Sequence, residues 1–286
     1  IWYNTTSQTL KGVEFGVAAW STGGNMGTAG YLSAGFGTQT AALVAGGIGR
    51  SPATEEYNGT AWTGGGALGI AREKLAGAGT QTAGLAFGGD PTTNATEEYN
   101  GSAWTAGGNL GTGRYNLSGA GTQTAGLAIG GFPSTAVTEE YNGTAWTAGG
   151  TMGTARYNGA GTGTQTAALA FGTQGPSGNL TEEYNGTAWT AGGNLNTTRY
   201  LLSACGTQTA ALGFGGELPS ANTGATEEYD GSSWTSTTSL SVARKSLAGA
   251  GTNTAGLAFG GTVPPGTTAT EEFTGAGPVT VTISGS

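Results

Sequence analysis

Six tryptophans, Trp20, Trp62, Trp104, Trp146, Trp189 and Trp234, stand 42, 42, 42, 43 and 45 residues apart. A period of that length marks a repeat architecture, in which each unit is one supersecondary element too small to bury its own faces. Two further series keep the same phase. GTQT, or GTNT in the last unit, begins at Gly37, Gly79, Gly121, Gly163, Gly206 and Gly251, 17 residues after each Trp. A Glu pair followed by Tyr or Phe begins at Glu55, Glu97, Glu139, Glu182, Glu227 and Glu271, and the first five stand seven residues before the next Trp. Only the stretch from GTQT to the Glu pair changes length, running 18, 18, 18, 19, 21 and 20 residues. Length variation is therefore confined to one loop per unit.

The second unit shows how strands fill the period. Leu75 to Ala78 precedes GTQT, and Thr82 to Phe87 alternates, with Ala83, Leu85 and Phe87 on one face and Gly84, Ala86 and Gly88 on the other. Thr96 to Tyr99 follows, then Asn100-Gly101, then Ser102 to Thr105. Asn-Gly between strand residues predicts a tight hairpin with positive φ at both turn positions. The glycine density, 59 in 286 residues, and the lack of a sustained 3.6-residue pattern exclude helix. Four short antiparallel strands repeated six times must pack radially, which predicts an all-β, six-bladed β-propeller.

Composition narrows the function classes. At 36% hydrophobic residues with seven Trp, the chain is too apolar for disorder, and no apolar run approaches the roughly 18 to 20 residues of a membrane helix, so a soluble fold without membrane insertion is expected. A net charge of −8 with nine Lys and Arg argues against nucleic acid as a partner, since such surfaces present a basic patch. Cys205 is the only cysteine and occupies a position held by Ala78, Ala120 and Ala250 in other units, which reads as a small buried hydrophobe. The chain opens on Ile1 without a charged-then-apolar leader, as a processed, trimmed or partial chain would.

A strand ending in Gly-Gly (Gly88-Gly89, Gly130-Gly131, Gly215-Gly216, Gly260-Gly261), then Tyr, then Trp, then Arg before the next strand resembles a kelch repeat over nearly the whole chain. The Tyr-to-Trp turn is tighter than in most kelch units, and the fourth unit has Gly172-Thr173 at the Gly-Gly position. The other propeller repeat of similar period uses Gly-His and Trp-Asp signatures, and this chain has no His. The two ends are expected to close the ring jointly. Residues 1–12 form a connector strand, 13–273 the propeller and 274–286 a last strand; Val13 to Phe15 and Ala18 to Thr22 form a strand pair, and the Trp20 strand completes the blade begun by residues 243–273.

Candidate chemistry is thin. Arg72, Arg114, Arg156, Arg199 and Arg244 each follow their Trp by ten residues, with Gly30 in the first unit. An Arg ring could capture anionic sugars, but bidentate pairing with carboxylate is the preferred fate of a partly buried Arg. A structural inter-blade Arg–Glu ring is expected, its carboxylates assigned to the second Glu of each pair: Glu56, Glu98, Glu140, Glu183, Glu228 and Glu272. Adjacent strand residues point to opposite faces, so a pair such as Glu97 and Glu98 cannot flank a glycosidic bond as a glycosidase requires. The stretch Asp230 to Trp234 resembles the Asp box of sialidase propellers but lacks the residue between Asp and Gly, and reads as hairpin-turn chemistry. Without His the commonest general base and metal ligand is missing, and GTQT lacks the Lys of a phosphate loop. The N-x-S/T triplets at Asn58, Asn100, Asn142 and Asn185 coincide with the Asn-Gly turns. No cofactor, metal or enzymatic activity is expected.

Up-and-down strands put the variable loops (48–53, 90–95, 132–137, 173–180, 217–225 and 262–269) on one face, opposite the near-invariant GTQT and Asn-Gly turns. Diversity on one rim of a constant scaffold suits a recognition surface, with tolerated loop drift as the alternative. Arg50, Asp90, Asn94, Phe132, Gln174, Asn179, Glu217 and Asn222 are the candidate receptor-binding residues. The opening IWYNTTSQTLKG, the Gly/Thr-rich repeats and the closing PVTVTISGS resemble modules of phage tail fibres and other virion appendages. That resemblance implies a structural or adhesive protein on a virion or extracellular surface. Its partners would be a host cell-surface glycan or protein and other appendage chains, with homo-oligomerisation compatible. A bacterial propeller lectin or adhesin is the competing reading.

Overall fold

A computed structural model describes residues 2–4, 9–276 and 278–283, with side chains from 16 to 276. Six four-stranded antiparallel sheets form a β-propeller. Blades 1 to 5 occupy residues 34–64, 76–106, 118–148, 160–191 and 203–237. Blade 6 takes three strands from residues 248–274, and Ala19–Thr22 supplies the outermost fourth, pairing Trp20 with Phe273 as the spacing of the Trp series predicts. The innermost strands, such as Ala76–Thr80, contact one another around a closed ring and line a narrow axial channel.

Val13 to Phe15 does not pair with the Trp20 strand. It belongs to Thr9–Phe15, which pairs with Pro278–Ile283 and with Trp2–Asn4 in a separate three-stranded sheet. The Phe15–Pro278 pairing keeps the register of the Ala19–Thr274 pairing in blade 6, so the two chain arms extend that blade's ladder where other blades have an Asn-Gly turn.

That turn also departs from expectation. Only its glycine takes positive φ, +90° at Gly101, and the Asn side chain folds over the turn, Asn100 Oδ1 accepting from the amides of Ser102 and Ala103. The loop spans four residues, so the outer strand begins at Trp104 rather than Ser102. Asn competes with backbone acceptors well enough to make this side-chain turn cheaper than a left-handed Asn.

Each blade turns a large face to the small face of the next. Leu85 and Phe87 of blade 2 pack with Ala128, Tyr141 and Trp146 of blade 3, while Ala86 lies in the cluster with Phe36 and Leu43 of blade 1. Three polar links cross the seams. Each of the six repeat Trp indoles donates to the Thr opening the third strand of the preceding blade, as Trp104 does to Thr54 at 3.0 Å and Trp20 to Thr226 at 3.1 Å. Every Tyr of the Glu-Glu-Tyr motif donates to the second Glu of the preceding blade, Tyr99 to Glu56 at 2.6 Å for one. The GTQT glutamine donates to two backbone carbonyls of that blade, Gln81 to Ala42 and Tyr57. The motif that reads as a plain turn is therefore also an inter-blade clamp.

On the variable-loop side, Leu32, Lys74, Asn116, Asn158, Leu201 and Ser246 all adopt left-handed φ of 53° to 59°. Each donates its amide to the carbonyl of its counterpart in the preceding blade, and Leu32 to Ser246 completes a cycle of six hydrogen bonds around the axis. Left-handed Leu costs on the order of 1 kcal/mol, which the cycle offsets.

The seam between blades 5 and 6 keeps only the Trp link of the three, because blade 6 carries Phe273 for Tyr and Asn253 for Gln. Its other bonds are local substitutes, such as Thr238 Oγ1 to the Ala18 carbonyl at 2.6 Å. Trp20, edge-on to Phe214 with ring centroids 5.2 Å apart, thus holds this seam together. Trp20→Ala should cost about 3 kcal/mol or more in denaturant unfolding. Deleting residues 1–22 should broaden the transition, because blade 6 loses its outer strand; an unchanged, cooperative transition would contradict the closure.

Candidate functional site

The sequence singles out two groups, the repeated Arg and Glu residues and the variable loops, and the structure separates them. Four of the five repeated arginines are among the largest fully buried side chains, and all five are at most 2% exposed. Each lies in the connector entering a blade and meets that blade's carboxylate: Arg72 Nη2 is 3.1 Å from Glu97, and Arg114, Arg156, Arg199 and Arg244 reach Glu139, Glu182, Glu227 and Glu271. These partners are the first Glu of each pair, and each lies in the blade its connector enters, so the expected inter-blade pairing is corrected to one between connector and blade. The assignment to Glu56, Glu98, Glu140, Glu183 and Glu272 is corrected: strand alternation turns these toward the following blade, where they accept the Tyr hydroxyls. Glu228 has no Tyr donor, since blade 6 carries Phe273.

Arg72, Arg156, Arg199 and Arg244 also donate to carbonyls near the end of the second strand or just before the third. Arg199 donates to Gly213, Gly215 and Ala225 as well as to Glu227. Burial pulls the arginine pKa down and the facing carboxylate pushes it back. Buried in this way, the ring cannot offer charge to a ligand. It ties each connector to its blade and fixes where the variable loops start.

Those loops share one face. Arg50 lies 3.8 Å from Asp90, which also meets Lys74 at 3.3 Å, so blades 1 and 2 are joined by an exposed salt cluster. Asn94 and Asn222 donate their amides to the Leu110 and Thr262 carbonyls, a positioning role rather than a free contact group. Glu217 pairs with Lys245 at 2.7 Å, and the Asn179 carbonyl accepts from the Leu195 amide. Gln174 Oε1 accepts from Asn158 at 3.0 Å. Phe132, 40% exposed, packs at a tilt against Tyr115 and edge-on against Tyr157, at ring separations of 5.0 and 5.6 Å.

This face carries an apolar groove of about 430 Å³ between blades 4 and 5, lined by Gln174, Gly175, Pro176, Thr198, Tyr200 and Pro219. Tyr115, Tyr157 and Tyr200 were not among the sequence candidates. Their signal was available: each follows the repeated Arg, a position that holds Tyr31, Glu73 and Lys245 in the other blades and so varies in chemistry within a constant frame. The GTQT and Asn-Gly turns lie on the other face, where the fifth-blade turn uses Asp230 in the Asn role, accepting from Ser232 and Ser233.

No protein-family model matches the chain, and no curated protein matches it in sequence. Many solved structures match in three dimensions. One is the structure of YjhT, with a TM-score of 0.75 at 12% sequence identity, covering 91% of this chain and 100% of that one. At such identity the likeness establishes a shared propeller fold and says nothing of activity.

Two outcomes test the buried pairs and the turn. Arg199→Ala should destabilise by about 3 to 5 kcal/mol by leaving Glu227 buried and uncompensated, whereas Arg199→Met with Glu227→Leu should cost far less; equal losses in chemical denaturation would contradict this. Hydrogen bonds from Ser232 and Ser233 hold the Asp230 carboxyl at a pKa of about 2. The lowered folded value means its contribution is present above the ordinary carboxylate range and is lost as pH falls toward 2, which an NMR titration of Asp230 will show.

Proposed function

We infer that this chain is a non-enzymatic recognition module, a kelch-like propeller of a phage tail fibre or related virion appendage that binds a receptor on a host surface through its variable-loop face. The carrying observation is polarity. Both chain arms leave blade 6 beside the constant turns and pair with each other in the three-stranded sheet, while all six variable loops lie at the opposite end of the blades. A module joined to a larger assembly through its arms would present those loops outward.

The loop face has the chemistry of a binding surface. It offers Phe132 with Tyr115 and Tyr157, and beside them the groove at Tyr200, Pro176 and Pro219. Aromatic rings and a shallow apolar floor ringed by amide and hydroxyl groups suit the mixed polar and C–H surface of a sugar, which favours a glycan as the receptor. The same groove would serve a bacterial surface lectin, and attachment to other appendage chains through the arms separates the two readings.

Labelled protein should bind host bacterial cells and a subset of a glycan array. Replacing the 173–180 and 217–225 loops with the shortest loop, or making Tyr200→Ala, should lower binding at least tenfold with the thermal midpoint little changed. Undiminished binding by both variants would remove the loop face from consideration.

A further inference from the structure

Blade 1 lacks the arginine that its five counterparts bury, carrying Gly30 at that position. The receiving groups remain. Glu55 occupies the place of Glu97, and it accepts from the Gly27 and Thr28 amides at 2.7 and 3.0 Å as Glu97 accepts from Gly69 and Ile70 at 2.6 and 3.3 Å. Val44, Gly46 and Ala53 correspond to Gly213, Gly215 and Ala225, whose carbonyls take the guanidinium of Arg199. Where that side chain would lie there is a cavity of about 90 Å³, bordered by Gly30, Val44, Gly46, Ala53 and Glu55 and opening past the exposed Thr28, Ala29 and Ile48. Space of that size exceeds several-fold what one water needs.

We propose that this vacated pocket is a binding site for a guanidinium group, supplied by a small free cation or by an arginine side chain of a partner. The match recurs within the same molecule: five blades hold a guanidinium against this carboxylate, and in four of them it also donates to one or more of these carbonyls. A planar fork of N–H donors fits a carboxylate with flanking carbonyls better than a spherical ammonium does. Met26, whose Cε would lie 3.4 Å from a Cβ at Gly30, covers part of the pocket and, being flexible, can yield to a guest. The pocket opens on the loop face but stands independently of the receptor reading.

Thermal unfolding of the full chain in low-millimolar methylguanidinium, against matched sodium and tetramethylammonium chloride, tests this. A saturable rise of about 2 to 4 °C is expected for the native chain with methylguanidinium alone. Gly30→Arg, which places the missing side chain in a position with ordinary φ, should raise the midpoint by itself and abolish the response, and Glu55→Gln should abolish it too. Arg72→Gly should be destabilised and gain an additional response, a control that does not depend on Gly30→Arg folding. An arginine-bearing peptide that stabilises the native chain where methylguanidinium also does would assign the group to a partner; stabilisation by methylguanidinium alone would assign a free cation. Equal responses in the native, Gly30→Arg and Glu55→Gln chains, or no response of the native chain where Arg72→Gly does respond, would overturn the proposal, as would no response in either.

Discussion

The indole hydrogen bond from each tryptophan to a threonine of the preceding blade is the contact on which the rest depends. It occurs at all six seams, including the one closed by the N-terminal strand, and it anchors a large ring between two sheets. Burying a Trp without a partner for its N–H would leave an unsatisfied donor in an apolar seam. With the threonine in place, the ring sets the spacing at which Leu and Phe of one blade meet Ala and Gly of the next. The Tyr–Glu and Gln–carbonyl links then lock the lateral position of each blade.

The regularity of these seams explains why so much of the fold was legible. The Trp beat counted the blades, and the lone Trp20 ahead of the first complete unit pointed to a joint closure because its partner strands stood at the far end of the chain. What could not be read depended on direction rather than spacing. Adjacent Glu97 and Glu98 necessarily face opposite ways, but the sequence does not say which one meets the arginine of the incoming connector. The Asn-Gly turn was misjudged because its short dipeptide suits a left-handed backbone, whereas the Asn side chain here closes the turn itself. The six-membered amide cycle was invisible because it joins backbone groups of unlike residues, Leu, Lys, Asn and Ser.

The candidate site was legible as a region and only partly as residues. Loop-length variation identified the face, yet Asn94 and Asn222, polar and in variable segments, proved to brace the scaffold. Tyr115, Tyr157 and Tyr200 were overlooked because they belong to segments of constant length. Variation in chemistry at a position fixed in space is as informative as variation in length, and here it tracks the aromatic surface. The departures from the repeat follow the same logic: Gly30 leaves a carboxylate without its arginine, and Phe273 leaves Glu228 without its tyrosine.

The arms that continue the ladder of blade 6 determine how the propeller would bear a pull. A pull on the arms runs along the strands of that blade, so the five pairings between Ala255–Phe259 and Thr270–Thr274 would share the load in shear rather than open one at a time. The same blade holds its neighbour through Trp20, so tension drawn into Ala19–Thr22 reaches blade 5 through a side chain wedged crosswise to the pull. Load enters the ring at the joint where its two ends meet.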